Sequence, residues 1–93
     1  MSTVTVKFVV TPAGTVASYW ISVGNQDVPL KNGQGSVNVS SPSQPLLVWH
    51  FEGNAGDSLA ITGTVGSKTV VQVKGSTIPP KQSSGAGSKR FQV

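Results

Sequence analysis

The chain contains no cysteine, which excludes disulfide staples and thiolate metal sites and leaves the core alone to hold the fold. Charge is scarce as well: 11% of residues are Asp, Glu, Lys or Arg, about half the usual share. Ser, Thr and Gly must supply the polarity, a composition that suits strands and turns better than exposed helices. No segment approaches roughly eighteen consecutive apolar residues, so no membrane-spanning helix is expected. The start, MSTVTVKFVVTPAG, lacks a basic stretch followed by an apolar block, so no secretory signal is seen. A mature chain restarted with Met1 would read the same, which leaves localisation open.

Acid is nearly absent, with three Asp and Glu against seven Lys and Arg and a net charge of +4. That balance resembles a nucleic-acid binder until it is mapped. Residues 1–75 hold four of the lysines and all three acids, so the body is nearly neutral. Lys81, Lys89 and Arg90 lie in the last eighteen residues, where there is no acid. Three charges give little affinity for nucleic acid at physiological salt, so that partner is not expected.

What the sequence does have is period-2 alternation. Val4, Val6, Phe8 and Val10 alternate with polar residues, as do Tyr19, Ile21 and Val23. Val28 and Leu30, Val37 and Val39, Leu47, Trp49 and Phe51, Leu59 and Ile61, and Val71 and Val73 continue the pattern. No window gives a helical stripe. Strands are expected over about 3–10, 16–23, 26–31, 34–40, 46–53, 57–65 and 69–75. One domain's worth of chain, 93 residues, buries roughly 60–65% of its unfolded surface, enough for one modest core.

Turn chemistry then suggests pairings. Asn32-Gly33 is a two-residue hairpin loop, since both positions of such a turn need positive φ. It would pair Lys31 with Gln34 and set Val28 opposite Val37. A first hairpin closing around PAGT would pair Phe8 with Tyr19 and Val6 with Ile21. A loop at Asn54-Ala55-Gly56 would pair Phe51 with Leu59 and Trp49 with Ile61. For the last hairpin a two-residue Gly66-Ser67 loop sets Ile61 beside Gln72, on the wrong face. A longer loop or a bulge is expected there, with Ile61 opposite Val73. SSPSQP, residues 40–45, lacks hairpin chemistry and is the expected crossing between sheets. The fold class that follows is all-β: a small antiparallel β-sandwich of about seven strands, immunoglobulin-like in architecture only, with a small closed barrel as the alternative.

VWHFEG, residues 48–53, holds one of two tryptophans, the only histidine and one of the three acids. Parity sends Trp49 and Phe51 into the core and His50 and Glu52 to the opposite face, as solvated residues or as a pair. A nucleophile–histidine–acid site would need His50 beside a serine and an acid. No G-x-S-x-G turn occurs, and Asp27, Glu52 and Asp57 have no evident cleft for paired-carboxylate chemistry. No catalytic residue is expected, and with one histidine and no cysteine no zinc site. EGNAGD gathers Glu52, Asn54 and Asp57, oxygen donors that suit calcium, but a turn wants the same residues, so no metal is expected. No Gly-rich loop precedes a helix, and no cofactor is expected.

Trp20 stands between Ser18 and Ser22 in the alternation and should face out. The first hairpin's register would place Lys7 directly across from it, giving a cation–π contact worth about 0.5–1 kcal/mol, or a stacking surface for a sugar or a protein partner. Trp20, Lys7, His50 and Glu52 are therefore the candidate ligand-binding residues. Beyond the 1–75 domain, in residues 76–93, Ile78-Pro79-Pro80 ends strand pairing, KQSSGAGS has linker composition, and the segment reads as a flexible tail. Its end, with Lys89, Arg90, Phe91 and Val93, would be disordered, engage a partner, or dock as an added strand on a sheet edge. The expected function is a non-catalytic protein-interaction or structural module that binds a protein partner or itself through an edge or the tail. The alternative is a carbohydrate-binding module using Trp20.

Overall fold

The computed structural model describes residues 2–93 and contains no helix among them; none is therefore long and apolar enough to cross a membrane. Eight strands form: β1 Ser2–Ala13, β2 Ser18–Val23, β3 Gln26–Asp27, β4 Gln34–Ser41, β5 Leu46–Glu52, β6 Ser58–Val65, β7 Lys68–Thr77 and β8 Ser84–Arg90. They make two four-stranded antiparallel sheets, ordered β4-β1-β6-β7 and β3-β2-β5-β8. The sheets pack face to face as a small sandwich and do not close into a barrel.

The expected side-chain parity holds throughout. Val6, Phe8, Val10, Ile21, Val23, Val37, Val39, Leu47, Trp49, Phe51, Leu59, Ile61 and Val71 are all buried in one core. Pairing across the strands differs from expectation in three places. β1 pairs with β4 and β6, not with β2, so Phe8 lies opposite Gly35 and Gly63 rather than Tyr19. β5 pairs with β2 and β8, not with β6, so Phe51 lies opposite Tyr19 and Gly85 rather than Leu59. Asn32-Gly33 makes the expected tight turn, with φ of 55° and 77° and Lys31 bonded to Gln34. The chain then diverges: β4 joins the first sheet, and Val28 never pairs with Val37.

One physical reason covers all three. Both inner faces of a sandwich accept the same alternation, so a turn that crosses between sheets satisfies parity as well as a hairpin does. Only β2–β3 and β6–β7 are in-sheet hairpins; five of the connections cross, residues 40–45 among them as expected. In the β6–β7 hairpin Val65 pairs with Lys68 around Gly66-Ser67, and an irregularity after Gly63 restores Ile61 opposite Val73. The bulge, not a longer loop, corrects the register. The strand expected over 26–31 keeps only two residues, since Pro29 cannot donate to a ladder.

The last segment is also not the flexible tail expected. β8 pairs with β5 along its whole length, and Ile78 and Phe91 are buried. Phe91 meets Phe8 edge to face at 6.3 Å. The docked added strand is the form the chain takes, on its own sheet. GAGS, linker-like in composition, is a strand because its glycines are packing sites. Gly85 and Gly87 stand opposite Phe51 and Trp49. A β-carbon at Gly85 would come within 2.7 Å of the Phe51 ring, and one at Gly87 would overlap Trp49.

Candidate functional site

The outer face of the second sheet carries the most unusual surface. In β2, Trp20 lies between Ser18 and Ser22, and it is 48% exposed. Its cross-strand partner is His50 of β5. The two rings stack with centroids 5.7 Å apart and planes 20° apart. Offset aromatic stacking of this kind contributes about 0.5–1.5 kcal/mol beyond area burial, and it holds the indole in a fixed orientation. Trp20 is flanked by Ser18 and Ser22 on β2, His50 by Val48 and Glu52 on β5, and Ala86 lies opposite His50 on β8. The result is a flat platform with one raised aromatic, built on strands rather than on a loop.

Glu52 sits at one end of this platform, opposite Ser18 and Ser84, and is exposed. The His50 ring takes its contact from Trp20 and not from the carboxylate. Beyond Glu52 the surface falls into a polar groove of about 360 Å³, lined by Thr15, Ala17, Glu52, Gly53, Asn54 and Ser83. The platform and the groove thus share Glu52.

Lys7 is not part of this site. With β1 in the other sheet, Lys7 pairs with Ser36 and Thr64 and is exposed on the opposite side of the sandwich. The expected Lys7–Trp20 contact is replaced by the His50–Trp20 stack. Nothing local in the sequence signals that stack, because it depends on β5 being the neighbour of β2.

The tail residues are engaged within the molecule. The Lys89 ammonium donates to the Gln72 carbonyl of β7 at 2.9 Å, and Arg90 Nη1 donates to the Gln44 carbonyl at 2.8 Å. Phe91 is buried, and its N–H donates to the Pro45 carbonyl. The Val93 N–H donates to the Ser43 carbonyl, and its side chain lines a groove of about 340 Å³ with Val4, Val65 and Val70. A partner cannot take Phe91 as an anchor without opening the core.

Asp57, at the end of the GNAGD turn, is buried. Its Oδ2 accepts the Asn54 N–H at 2.7 Å and the Thr15 hydroxyl at 3.1 Å. The Asn54 amide in turn donates to the Thr15 hydroxyl at 2.7 Å. Backbone donors from Asn54 and Thr15 hold the Asp57 carboxyl below its ordinary pKa. These bonds tie the β1–β2 connection to the β5–β6 connection, two of the crossings between sheets. The carboxylate's partners are hydrogen-bond donors of these two connections. Among the described residues no group of three His, Cys, Asp or Glu side chains could hold a metal ion.

No known protein family, curated protein or solved structure matches the chain.

Proposed function

We propose that the protein is a non-catalytic interaction module, immunoglobulin-like in architecture, that assembles with a protein partner or with itself through its sheet surfaces. The observation that carries this reading is the Trp20–His50 platform: a half-exposed tryptophan, stacked on a histidine and flanked on its own strand by serines. Trp is enriched at the centres of protein contacts, where a rigid ring contributes large area at low entropic cost. Its test uses Trp20 as its own reporter. In a Trp49→Phe background Trp20 is the sole tryptophan, and its emission shifts to the blue when a contact removes it from water. A blue shift as protein concentration rises, abolished by His50→Ala, supports self-contact at this face. Emission unchanged by protein concentration and by a neutral glycan panel removes the platform as a surface for self-contact or sugar.

A second reading, a carbohydrate-binding module, is favoured by the adjacency of the platform to the groove at Glu52. Sugar sites combine one aromatic face with several hydrogen-bonding groups, and here Asn54, Thr15 and Ser83 line the groove that begins at Glu52, the end of the platform. A neutral glycan panel read by the same emission separates the two. The sugar reading requires that Glu52→Ala and Trp20→Ala each weaken binding of the one glycan that responds.

A further inference from the structure

We infer that β8 is an assembly edge, and that it pairs antiparallel with β8 of a second copy about a two-fold axis at Gly87. This rests on the reading of the protein as an assembly module and adds a specific edge, partner and register to it.

The edges of the two sheets are not alike. β3 is two residues long. The Asn38 carbonyl of edge strand β4 accepts the Gln26 side-chain amide at 3.1 Å. The Gln72 carbonyl of edge strand β7 accepts the Lys89 ammonium, and β7 is interrupted by its irregularity opposite Gly63 and Thr64. Short strands, bulges and side-chain caps of this kind are how sheets protect their edges. β8 has seven residues in unbroken register with β5, and among the described residues no side chain caps its outer backbone.

The ladder shows which groups that edge presents. The Phe91 N–H donates to Pro45 and the Ser83 carbonyl accepts from Gly53, so odd-numbered residues of this stretch turn their backbone groups toward β5. Ser84, Ala86, Ser88 and Arg90 therefore turn theirs outward, because antiparallel strands alternate. Pairing even residue with even residue satisfies these groups in a second copy. The register that uses the whole strand pairs Ser84 with Arg90, Gly85 with Lys89, and Ala86 with Ser88, and puts Gly87 on the axis.

That register is also the one the side chains favour. Each long basic residue faces a small one, and the two basic ends lie at opposite ends of the ladder. Arg90 of the second copy flanks Ser84, whose other neighbour is Glu52. Two strand spacings are about 10 Å, which two long side chains reach across over a serine. Arg90 gives one nitrogen to Gln44, and a guanidinium has five N–H donors. The product is a continuous eight-stranded sheet, with an isologous contact and both Trp20 platforms left on its outer face.

The chain has no cysteine of its own, so cross-linking reads the register. Ala86→Cys and Ser88→Cys variants, mixed under mild oxidation, should form the 86–88 disulfide dimer several-fold faster than 86–86 or 88–88. Dominance of either homodisulfide overturns the register. Sedimentation of the unmodified chain should show dimer rising with concentration, and Ala86→Pro should abolish it. Proline there removes an outward N–H and leaves the β5 ladder intact; a circular-dichroism melt confirms the fold. A Glu52→Arg variant should weaken the dimer and Glu52→Arg with Arg90→Glu should restore it. A chain that stays monomeric overturns the edge, while the Trp20 emission test, two strands away, still decides the platform. A dimer untouched by Ala86→Pro places self-association elsewhere and overturns this inference alone.

Discussion

Single residues set the thickness of this sandwich. Three buried aromatics, Phe8, Trp49 and Phe51, each stand opposite a glycine of a neighbouring strand: Gly63, Gly87 and Gly85. A ring can lie down over the space a side chain would fill, and the glycine's lost propensity is offset by burial of the ring. Gly85→Ala and Gly87→Ala should each destabilise by about 1–3 kcal/mol through overpacking, read by chemical denaturation. Cost-free substitution at both would mean the rings are not held against the β8 backbone. The Trp49 Nε1 is buried without a hydrogen-bond partner, so the ring's contribution is packing alone. Asp57 works by hydrogen bonding. Its pKa is lowered below 3.8 in the folded state, so its contribution to stability is fully present above that value. The contribution is lost as pH falls through the folded pKa. Denaturation midpoints taken from about pH 7 down to about pH 2 should fall at the acid end, and Asp57→Ala should flatten that fall while lowering stability at neutral pH.

At the scale of elements, β8 changes the account of the chain most. Its composition, SGAGSKR, has the low hydrophobicity of a linker, and only the aromatic rings of β5 make a strand of it. Gly85 and Gly87 share the inward parity, but glycine carries no hydrophobic signal to count. Ile78 and Phe91 flank the strand and bury it at both ends. Phe91→Ala should cost about 3–5 kcal/mol, a large share of the roughly 5–15 kcal/mol that holds a domain of this kind. Truncation before Ser84 should abolish cooperative thermal unfolding; a truncated chain that melts like the full one would show β8 to be an accessory. The candidate site was half legible. Parity alone put Trp20, His50 and Glu52 outside. Their meeting needed β2 and β5 to be neighbours, and the same fact moved Lys7 to the far side.

The whole molecule is built from crossings. Only two of its connections close hairpins within a sheet, so most strand pairs join residues far apart in sequence, as Ser2 with Ser41 and Glu52 with Ser84. Loop closure must precede the contacts that reward it, which slows folding. Refolding followed by stopped-flow tryptophan fluorescence should occur in milliseconds to seconds, and full recovery within microseconds would contradict this topology.

Side-chain parity, the positions of β1, β2 and β4 to β7, and the Asn32-Gly33 turn were determined by the sequence alone, because each depends on residues one or two apart. Which strands become neighbours was decided only by the tertiary structure. Two inner faces of equal alternation offer every strand two acceptable sheets, and the choice rests on packing the sequence does not display locally. Glycines beneath rings, a carboxylate bridging two crossings, and an indole stacked on a histidine are those choices as they stand in the fold.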